Sequence, residues 1–188
     1  MKKKTLTPSN IIFAIFIVLL IIPQTRTALQ VGVNKIKVQL FSPSALDSKD
    51  QTQLDPFIYD VIDLKNQPKK ISIGEGRVVF LSYWATWCPP CIAELSSIQE
   101  LYNDYGDKIE FVLLTDEKIE TLNTFLEKKK YSLPVYLPRM QTPEKLYERS
   151  IPTNYIIDGT GKTIVKEQGA SNWNSTKVRA VLDGLIMN

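Results

Sequence analysis

The stretch 83-YWATWCPPCIAEL-95 decides the fold, because it holds the only two cysteines of the 188-residue chain at a change of pattern. Before it, "RVVFLSYWA" (77–85) is almost continuously apolar, which is typical of a central strand covered on both faces. After it, apolar residues recur every three or four positions over 92–102, and Gly106 marks a helix end. We therefore predict that Cys88 lies where a buried strand gives way to an amphipathic helix.

That position suits a reactive cysteine. The thiolate is the nucleophile in disulfide exchange, and an ordinary thiol with a pKa of ~8.5 is mostly protonated at neutral pH. Free N–H groups and the positive end of a helix stabilise an anion, and Pro89 and Pro90 fit a first turn that does not need their missing N–H groups. We expect Cys88 to be the accessible, attacking cysteine and Cys91, one turn further in, to resolve the mixed disulfide.

Two other uses of Cys88 and Cys91 stay open. A structural zinc needs about four ligands, and the chain has no histidine and no further cysteine, so a metal site would require two molecules to share it. An inert bridge would close only a four-residue loop, and a small loop stabilises a fold little. A catalytic dithiol with no metal and no cofactor is our prediction.

The N-terminal stretch "MKKKTLTPSNIIFAIFIVLLIIP" has the form of an export signal, with a basic tip and an apolar segment over residues 11–22. The segment is short for a bilayer span, which takes ~20 residues. Cleavage after Ala28 would need a small residue at the position that Arg26 occupies. We therefore expect residues 1–30 to be either a signal anchor or a cleaved signal peptide. In both cases the lysines of the tip stay inside, and the rest lies outside the cytoplasmic membrane.

The net charge of +3 equals the contribution of Lys2, Lys3 and Lys4, since the remainder has 20 basic and 20 acidic residues. Such a balance gives no electrostatic support for nucleic-acid binding.

Residues 31–55 mix polar and apolar residues without a sustained period, which predicts a linker with a short strand in "KIKVQLF" (35–41). The domain is expected over residues 56–188. It opens with a predicted hairpin, "FIYDVIDL" and "ISI", and then alternates strands and helices before a second hairpin in "TNYIIDGTGKTIVKEQ" and a last amphipathic helix. This order predicts an α/β fold, a mixed sheet with helices on both faces.

"VVFLSYWATWCPPCIAEL" followed by "IPTNYIIDGTGK" resembles the thioredoxin superfamily, and within it the membrane-anchored TlpA/ResA-like thiol-disulfide oxidoreductases of bacterial envelopes. The resemblance covers residues 56–188 and implies a thioredoxin-like fold with an N-terminal β-hairpin extension. It implies that Trp87, Pro89 and Pro90 contact the substrate. It also implies a cis peptide bond between Ile151 and Pro152, opposite the dithiol, where the backbone pairs with an extended substrate. From the residues alone, a trans proline that opens a strand is the alternative.

Glu94 matches an acidic residue that the family places near the dithiol. The resemblance implies that it moves protons to and from Cys91 and raises the thiol pKa values; a solvated glutamate near a helix start is the alternative. Ser82 stands where general thioredoxins carry a buried aspartate. The chain departs from the family at Ser96, where a proline usually kinks the helix, so we expect a straighter helix.

Other side chains near the motif receive structural roles. Tyr83 and Trp84 are predicted to belong to the core, and Trp173 to pack the last helix on the sheet without a catalytic role. The site is also poor in nearby cations, so the lowering of the Cys88 pKa would depend on the helix terminus.

The function that follows is an extracytoplasmic thiol-disulfide oxidoreductase of the cell envelope. It would reduce exported proteins, with apocytochrome c as the family's best-known client, and take electrons from a thiol-reducing membrane partner. One alternative is a thioredoxin-fold peroxidase, whose reactive cysteine follows a Thr-x-x-Cys pattern, whereas Thr86 is two residues before Cys88. The other is a non-catalytic thioredoxin-like module for binding or assembly.

Overall fold

A seven-stranded mixed sheet in the order β2-β1-β5-β4-β3-β6-β7 forms the centre of the fold. The computed structural model describes residues 7–187, without the side chain of Leu20, so the basic tip at Lys2, Lys3 and Lys4 lies outside the described residues. The strands are β1 (Phe57–Asp63), β2 (Pro68–Ile73), β3 (Val79–Tyr83), β4 (Glu110–Leu114), β5 (Val135–Pro138), β6 (Thr153–Ile157) and β7 (Thr163–Gln168). The helices are α1 (Pro8–Ile21), α2 (Pro23–Leu40), α3 (Pro89–Tyr105), α4 (Ile119–Lys129) and α5 (Thr176–Ile186).

Strand β3 is central, since it pairs in parallel with β4 and antiparallel with β6. Its side chains alternate between the two faces of the sheet. Phe80, and Trp84 directly after the strand, share one core with α3, α4 and α5, while Val79 and Leu81 belong to the other. The apolar run of this strand is continuous because the side chains on both of its faces are buried.

The second face carries much less helix than the first. Of the helical segments within residues 7–187, only the 3-10 turn Glu144–Leu146 contributes a buried residue to that core, Leu146. The mixed sheet and its helices are as the sequence predicts, with the helices distributed very unequally between the faces.

The hairpin predicted at the edge of the domain is confirmed. Strands β1 and β2 pair antiparallel with Phe57 opposite Ile73, and β1 also pairs antiparallel with β5. The hairpin therefore extends the central sheet rather than standing apart from it.

The short strand predicted in residues 35–41 is wrong, because α2 continues to Leu40. In the second half of α2, the partly or fully buried side chains lie at helical spacing: Val31, Asn34 and Val38. Val38 packs with Ala93 of α3 and with Ala170. Contact with α3 therefore favours a helix where the local alternation suggested a strand.

Within residues 7–187, no single helix has the length and apolar character to cross a bilayer, whereas the bent pair Pro8–Leu19 and Pro23–Leu40, at 94° to each other, meets that requirement jointly.

Helix α3 runs without a break from Pro89 to Tyr105, and Gly106 occupies its C-cap, as the sequence predicts. Ser96, in place of a kinking proline, lies in the middle of this helix.

Candidate active site

A disulfide joins Cys88 and Cys91 at the start of α3, with the two Cα atoms 5.2 Å apart. Cys88 is the N-cap residue of the helix. It is 3 % exposed and Cys91 is fully buried. Cys88 is thus the more accessible of the two, but less open than the sequence led us to expect, because its Sγ atom lies 3.7 Å from the carbonyl oxygen of Ile151 in a neighbouring loop.

The helix start directs one N–H group at the sulfur of Cys88. Because Pro89 and Pro90 have no N–H, the first available donor is the backbone N–H of Cys91, which lies 3.3 Å from Cys88 Sγ. The next N–H, that of Ile92, already donates to the carbonyl of Cys88. A thiolate at Cys88 would therefore accept a hydrogen bond from Cys91 and lie at the positive end of a 17-residue helix.

The loop before β6 borders the disulfide. The peptide bond between Ile151 and Pro152 is cis, and the Pro152 carbonyl accepts a hydrogen bond from Gly169 N at 2.9 Å. Directly after it, Thr153 pairs with Tyr83 at the end of β3. This register brings the loop beside the start of α3.

Glu94 lies one helical turn beyond Cys91, inside the protein and 1 % exposed. Its carboxylate accepts three hydrogen bonds, from Asn154 Nδ2 at 2.8 Å, Ser171 N at 3.1 Å and Trp173 Nε1 at 3.2 Å. The solvated position that was the alternative reading is therefore excluded.

Burial raises the pKa of Glu94 to about 8, against an ordinary value of 4.5. Desolvation is the largest cause; the hydrogen bonds from Asn154, Ser171 and Trp173 act in the opposite direction, and the nearby charge of Glu167 raises the pKa slightly further. Glu94 is consequently a carboxyl group that changes protonation near neutral pH.

The side-chain amide of Asn154 can form a hydrogen bond with either protonation state of Glu94. Its Nδ2 donates to the carboxylate, while its Oδ1 is buried and has no partner within the described residues. If the side-chain amide turns over, Oδ1 accepts a hydrogen bond from the protonated, neutral carboxyl group of Glu94. Ser82, the cross-strand neighbour of Asn154, also has an unpartnered hydroxyl there, and no carboxylate stands at its position.

A second carboxylate, Glu117, holds the loop that precedes the cysteines. Its two oxygens accept hydrogen bonds from the Thr86 N–H and the Thr86 hydroxyl, each at 2.6 Å. The hydroxyl of Thr115 lies 3.4 Å from the same group. Glu117 therefore fixes the backbone two residues before Cys88.

A cavity of about 370 Å³ opens beside this loop, between Tyr83, Trp87 and Ile151. Trp87 is 67 % exposed. Arg149 lines the cavity and is exposed. Arg149 is a cation that the sequence did not place near the site, and it precedes Pro152 by three residues in the loop before β6.

The structure brings the predicted site residues together: Cys88, Cys91, Glu94, Trp87, Pro89, Pro90, Ile151 and Pro152 all lie at or beside the start of α3. Trp84 is buried in the core, while Tyr83 lines the cavity. The structural reading of Trp173 was incomplete, because the fully buried indole packs edge-on against Phe80 and also donates to Glu94.

Four residues near the site were not predicted from the sequence, because they are distant from the cysteines in the chain: Asn154, Ser171, Glu117 and Arg149. The sequence signal that would have indicated Asn154 is an amide side chain in β6, where Thr153 is the other residue that is not aromatic or aliphatic. Within residues 7–187, no group of three or more His, Cys, Asp or Glu side chains is placed to hold a metal ion.

The model of the AhpC/TSA family matches residues 53–166, which is more than half of the chain. Among curated proteins, the chain is similar to the thiol-disulfide oxidoreductase ResA of Bacillus thuringiensis subsp. konkukian (strain 97-27), with 32 % identity over 112 residues, 58 % of this chain and 65 % of that protein. It is also similar to the thioredoxin-like protein YneN of Bacillus subtilis (strain 168), with 28 % identity over 102 residues, 52 % of this chain and 60 % of that protein. The chain thus spans less than two thirds of the length of these relatives.

Two solved structures resemble the fold. The first is a secreted thiol-disulfide isomerase from Corynebacterium glutamicum, with a TM-score of 0.57 and 18 % identity over 78 % of this chain and 92 % of that one. The second is the thioredoxin domain of a thiol-disulfide oxidoreductase from Bacteroides vulgatus, with a TM-score of 0.54 and 21 % identity over 71 % and 96 % of the two chains. At these identities the likeness is one of fold alone, and the fold is thioredoxin-like.

Proposed function

Because the chain belongs to the AhpC/TSA family, we propose that it is a thiol-disulfide oxidoreductase that works through Cys88 and Cys91. The observation that carries this proposal is the Cys88–Cys91 disulfide at the start of α3, with the Cys91 N–H directed at Cys88 Sγ and a buried carboxyl group one turn further along. The relatives named as thiol-disulfide oxidoreductases support the same reaction class.

Reduction of a substrate follows two exchanges. The Cys88 thiolate attacks one sulfur of a substrate disulfide, forms a mixed disulfide and releases the other substrate sulfur as a thiolate. The Cys91 thiolate then attacks Cys88 Sγ, which closes the Cys88–Cys91 bond and releases the second substrate thiolate. Two electrons pass from the protein dithiol to the substrate, and the disulfide described here is the oxidised product.

Glu94 accepts the proton that Cys91 loses before the second exchange. Cys91 must lose its proton before it attacks, and the pKa of Glu94, raised by burial to about 8, lies close to that of an ordinary thiol at ~8.5. A transfer between groups of nearly equal pKa costs little free energy. The turning of the Asn154 amide would then follow the proton on Glu94.

The substrate is an extended segment of a protein beside the disulfide. Exposed Trp87 forms one wall, Pro89 and Pro90 fix the start of α3, and the loop of Ile151 and Pro152 forms the other side. The cavity between them supports binding of a side chain that neighbours the substrate cysteine.

We assign the direction of the reaction as reduction of exported proteins in the cell envelope. The electron donor would be a thiol-reducing membrane protein, and apocytochrome c, whose haem-attachment cysteines must be reduced, is the client that the family resemblance supports. The exchange itself uses no cofactor, since all the electrons move between sulfur atoms.

The location follows from the N-terminal segment. Residues 1–30, with the apolar segment 11–22, act as a signal anchor in the cytoplasmic membrane, and residues 31–55 connect it to the domain of residues 56–188. Cleavage and release into the periplasm is the alternative. The apolar helix α1 supports the anchor.

Peroxidase activity and a purely binding role are the competing functions. A peroxidase of this fold has threonine three residues before its reactive cysteine, but Ala85 stands there, and the hydroxyl of Thr86 is bound by Glu117. A binding module without catalysis would not need both sulfurs beside a buried carboxyl group.

Reduction of insulin tests the activity directly. The reduced full-length protein should precipitate insulin chains with dithiothreitol as the electron source, whereas Cys88→Ser should be inactive. Hydrogen peroxide consumption is measured in parallel. Insulin left intact by the wild-type protein would contradict the proposal, and rapid peroxide consumption in its place would support the peroxidase.

A further inference from the structure

Helix α2 carries an apolar stripe that none of the described residues, 7–187, covers. Leu29, Val33, Ile36 and Leu40 are separated by four, three and four positions, so they lie along one side of the helix. Each is between 48 % and 73 % exposed. An uncovered apolar face of this kind indicates a binding surface.

The opposite side of α2 is already occupied. Val31, Asn34 and Val38 are the partly or fully buried residues of this stretch of the helix, and Val38 packs against Ala93 of α3 and against Ala170. The carbonyl of Phe41, which follows α2, also accepts a hydrogen bond from Asn172 N at 2.9 Å. One side of the helix therefore packs against the domain, and the stripe is exposed on the opposite side.

The charge on α2 is of one sign. The helix holds Arg26, Lys35 and Lys37 and no acidic residue. At 100° per residue, Arg26 and Lys37 lie about 50° and 70° from the centre of the stripe, both on the same side of it, whereas Lys35 lies about 130° away. A helix with an apolar face bordered by cations is the type that lies in the headgroup layer of a bilayer.

Helix α1, which precedes α2, is suited to entering the hydrocarbon of the same bilayer. Helix α1 is apolar along almost its whole length, and its part Pro8–Leu19 makes an angle of 94° with α2. If α1 enters the hydrocarbon along the membrane normal, α2 lies parallel to the surface.

We propose that α2 is an interfacial helix that inserts Leu29, Val33, Ile36 and Leu40 into the surface of an anionic bilayer. This inference rests on the proposed retention of the N-terminal segment. The cations favour lipid over a second copy of the chain, because two copies meeting through this stripe would bring like charges together, whereas an anionic surface attracts them.

The consequence for function is a fixed orientation of the dithiol. Ala93, which packs against the inner side of α2, lies two residues after Cys91 and one before Glu94. A helix held on the bilayer and packed on α3 would keep Cys88 at a set height and direction relative to the membrane. Such an arrangement suits exchange with a membrane-embedded thiol donor better than a flexible tether does.

The test places a tryptophan on the stripe of the full-length protein. Val33→Trp is reconstituted into vesicles of phosphatidylglycerol and brominated phosphatidylcholine in equal parts, and its fluorescence is compared with that of the parent chain, which contains Trp84, Trp87 and Trp173. We expect the added signal to be blue-shifted and quenched by the bromines. The matched control adds Leu29→Gln, Ile36→Gln and Leu40→Gln, which keep helix-forming residues and leave the inner face unchanged.

In the control, the quenching should be lost while the protein still floats with the vesicles through α1. Substitution of Arg26 and Lys37 by Gln should weaken the interaction about fivefold for each cation, since that is the gain from one cation near an anionic surface. A Val33→Trp signal that is not quenched in a vesicle-bound protein would overturn the proposal.

Two further results would also overturn it, and they differ from each other. A protein that does not float with vesicles removes the anchor on which the inference rests. A dimer in detergent that the three Gln substitutions dissociate would assign the stripe to self-association. Insulin reduction is measured on the same samples, so that failure of the proposed redox function is recognised separately.

Discussion

Replacement of Glu94 by Gln tests the buried carboxyl group without changing its shape. The three donors around Glu94 are Asn154 Nδ2, Ser171 N and Trp173 Nε1. In Glu94→Gln, the amide oxygen keeps the bonds from Ser171 and Trp173. The new NH₂ group faces Asn154, whose unpartnered Oδ1 accepts it after the Asn154 amide turns over. The variant therefore imitates the neutral form of Glu94 at every pH.

The size of the effect follows from the pKa of Glu94, which burial raises from 4.5 in the unfolded chain to about 8 in the fold. At about 1.4 kcal/mol per pH unit, the difference corresponds to about 5 kcal/mol. A typical domain has a free energy of unfolding of about 5–15 kcal/mol, so ionisation of this one group would remove a large part of the stability.

Whether the free energy of unfolding rises or falls with pH depends on which state, folded or unfolded, keeps the proton of Glu94. Between pH 4.5 and about 8, the folded protein keeps the proton on Glu94 and the unfolded chain has lost it, so the free energy of unfolding falls as the pH rises. This stability is fully present below pH 4.5 and is lost once the pH passes about 8. Glu94→Gln lacks this dependence.

The assay is guanidinium unfolding of the disulfide-bonded protein across this pH range, with Glu94→Gln measured beside the wild type. Keeping the disulfide closed removes the titration of the thiols, and all other groups cancel in the difference. We expect the variant to gain about 5 kcal/mol on the wild type between pH 4.5 and pH 9. Parallel pH profiles for the two proteins would refute the raised pKa and, with it, the proton-transfer role of Glu94.

Three further substitutions test other contacts of the site. Trp173→Phe removes a hydrogen bond that lowers the pKa of Glu94, so this pKa should rise in a carbon-13 NMR titration, with a loss of about 2 kcal/mol in stability from the smaller side chain. Glu117→Gln replaces one of the two oxygens that hold Thr86, so it should lower the free energy of unfolding by about 1.5–3 kcal/mol in a denaturation experiment and slow insulin reduction. Val38→Asp buries a charge between α2 and α3 and should cost at least about 3 kcal/mol and expose α2 to protease, whereas Val33→Asp, on the exposed side, should do neither.

The strand, the cysteine motif and the helix that follows could be predicted from sequence because their signals are local. The apolar run of β3 reflects burial on both faces, and Gly106 ends α3 where the pattern stops. The two prolines are tolerated at the helix start for a reason that the sequence itself contains. Glu94 was found only through its resemblance to a family position.

The surroundings of Glu94 could not be predicted, because they come from far along the chain. Asn154, Ser171 and Trp173 reach it from β6 and from the segment after β7, across 60 to 79 residues. Burial, which decides the pKa of Glu94, is a property of the packed core and not of the helix. Similarly, α2 is a helix because its inner side meets α3, whereas its own last residues alternate like a strand.

Trapping of the mixed disulfide tests the central claim most directly. The full-length Cys91→Ser variant is expressed in cells with Cys88→Ser as the matched control, and disulfide-linked complexes are separated without reductant and identified by mass spectrometry. We predict complexes of exported proteins joined to Cys88 in Cys91→Ser and none in Cys88→Ser, because only the attacking cysteine forms the intermediate. Equal amounts of complex in both variants, or none in either, would contradict a catalytic dithiol at the start of α3.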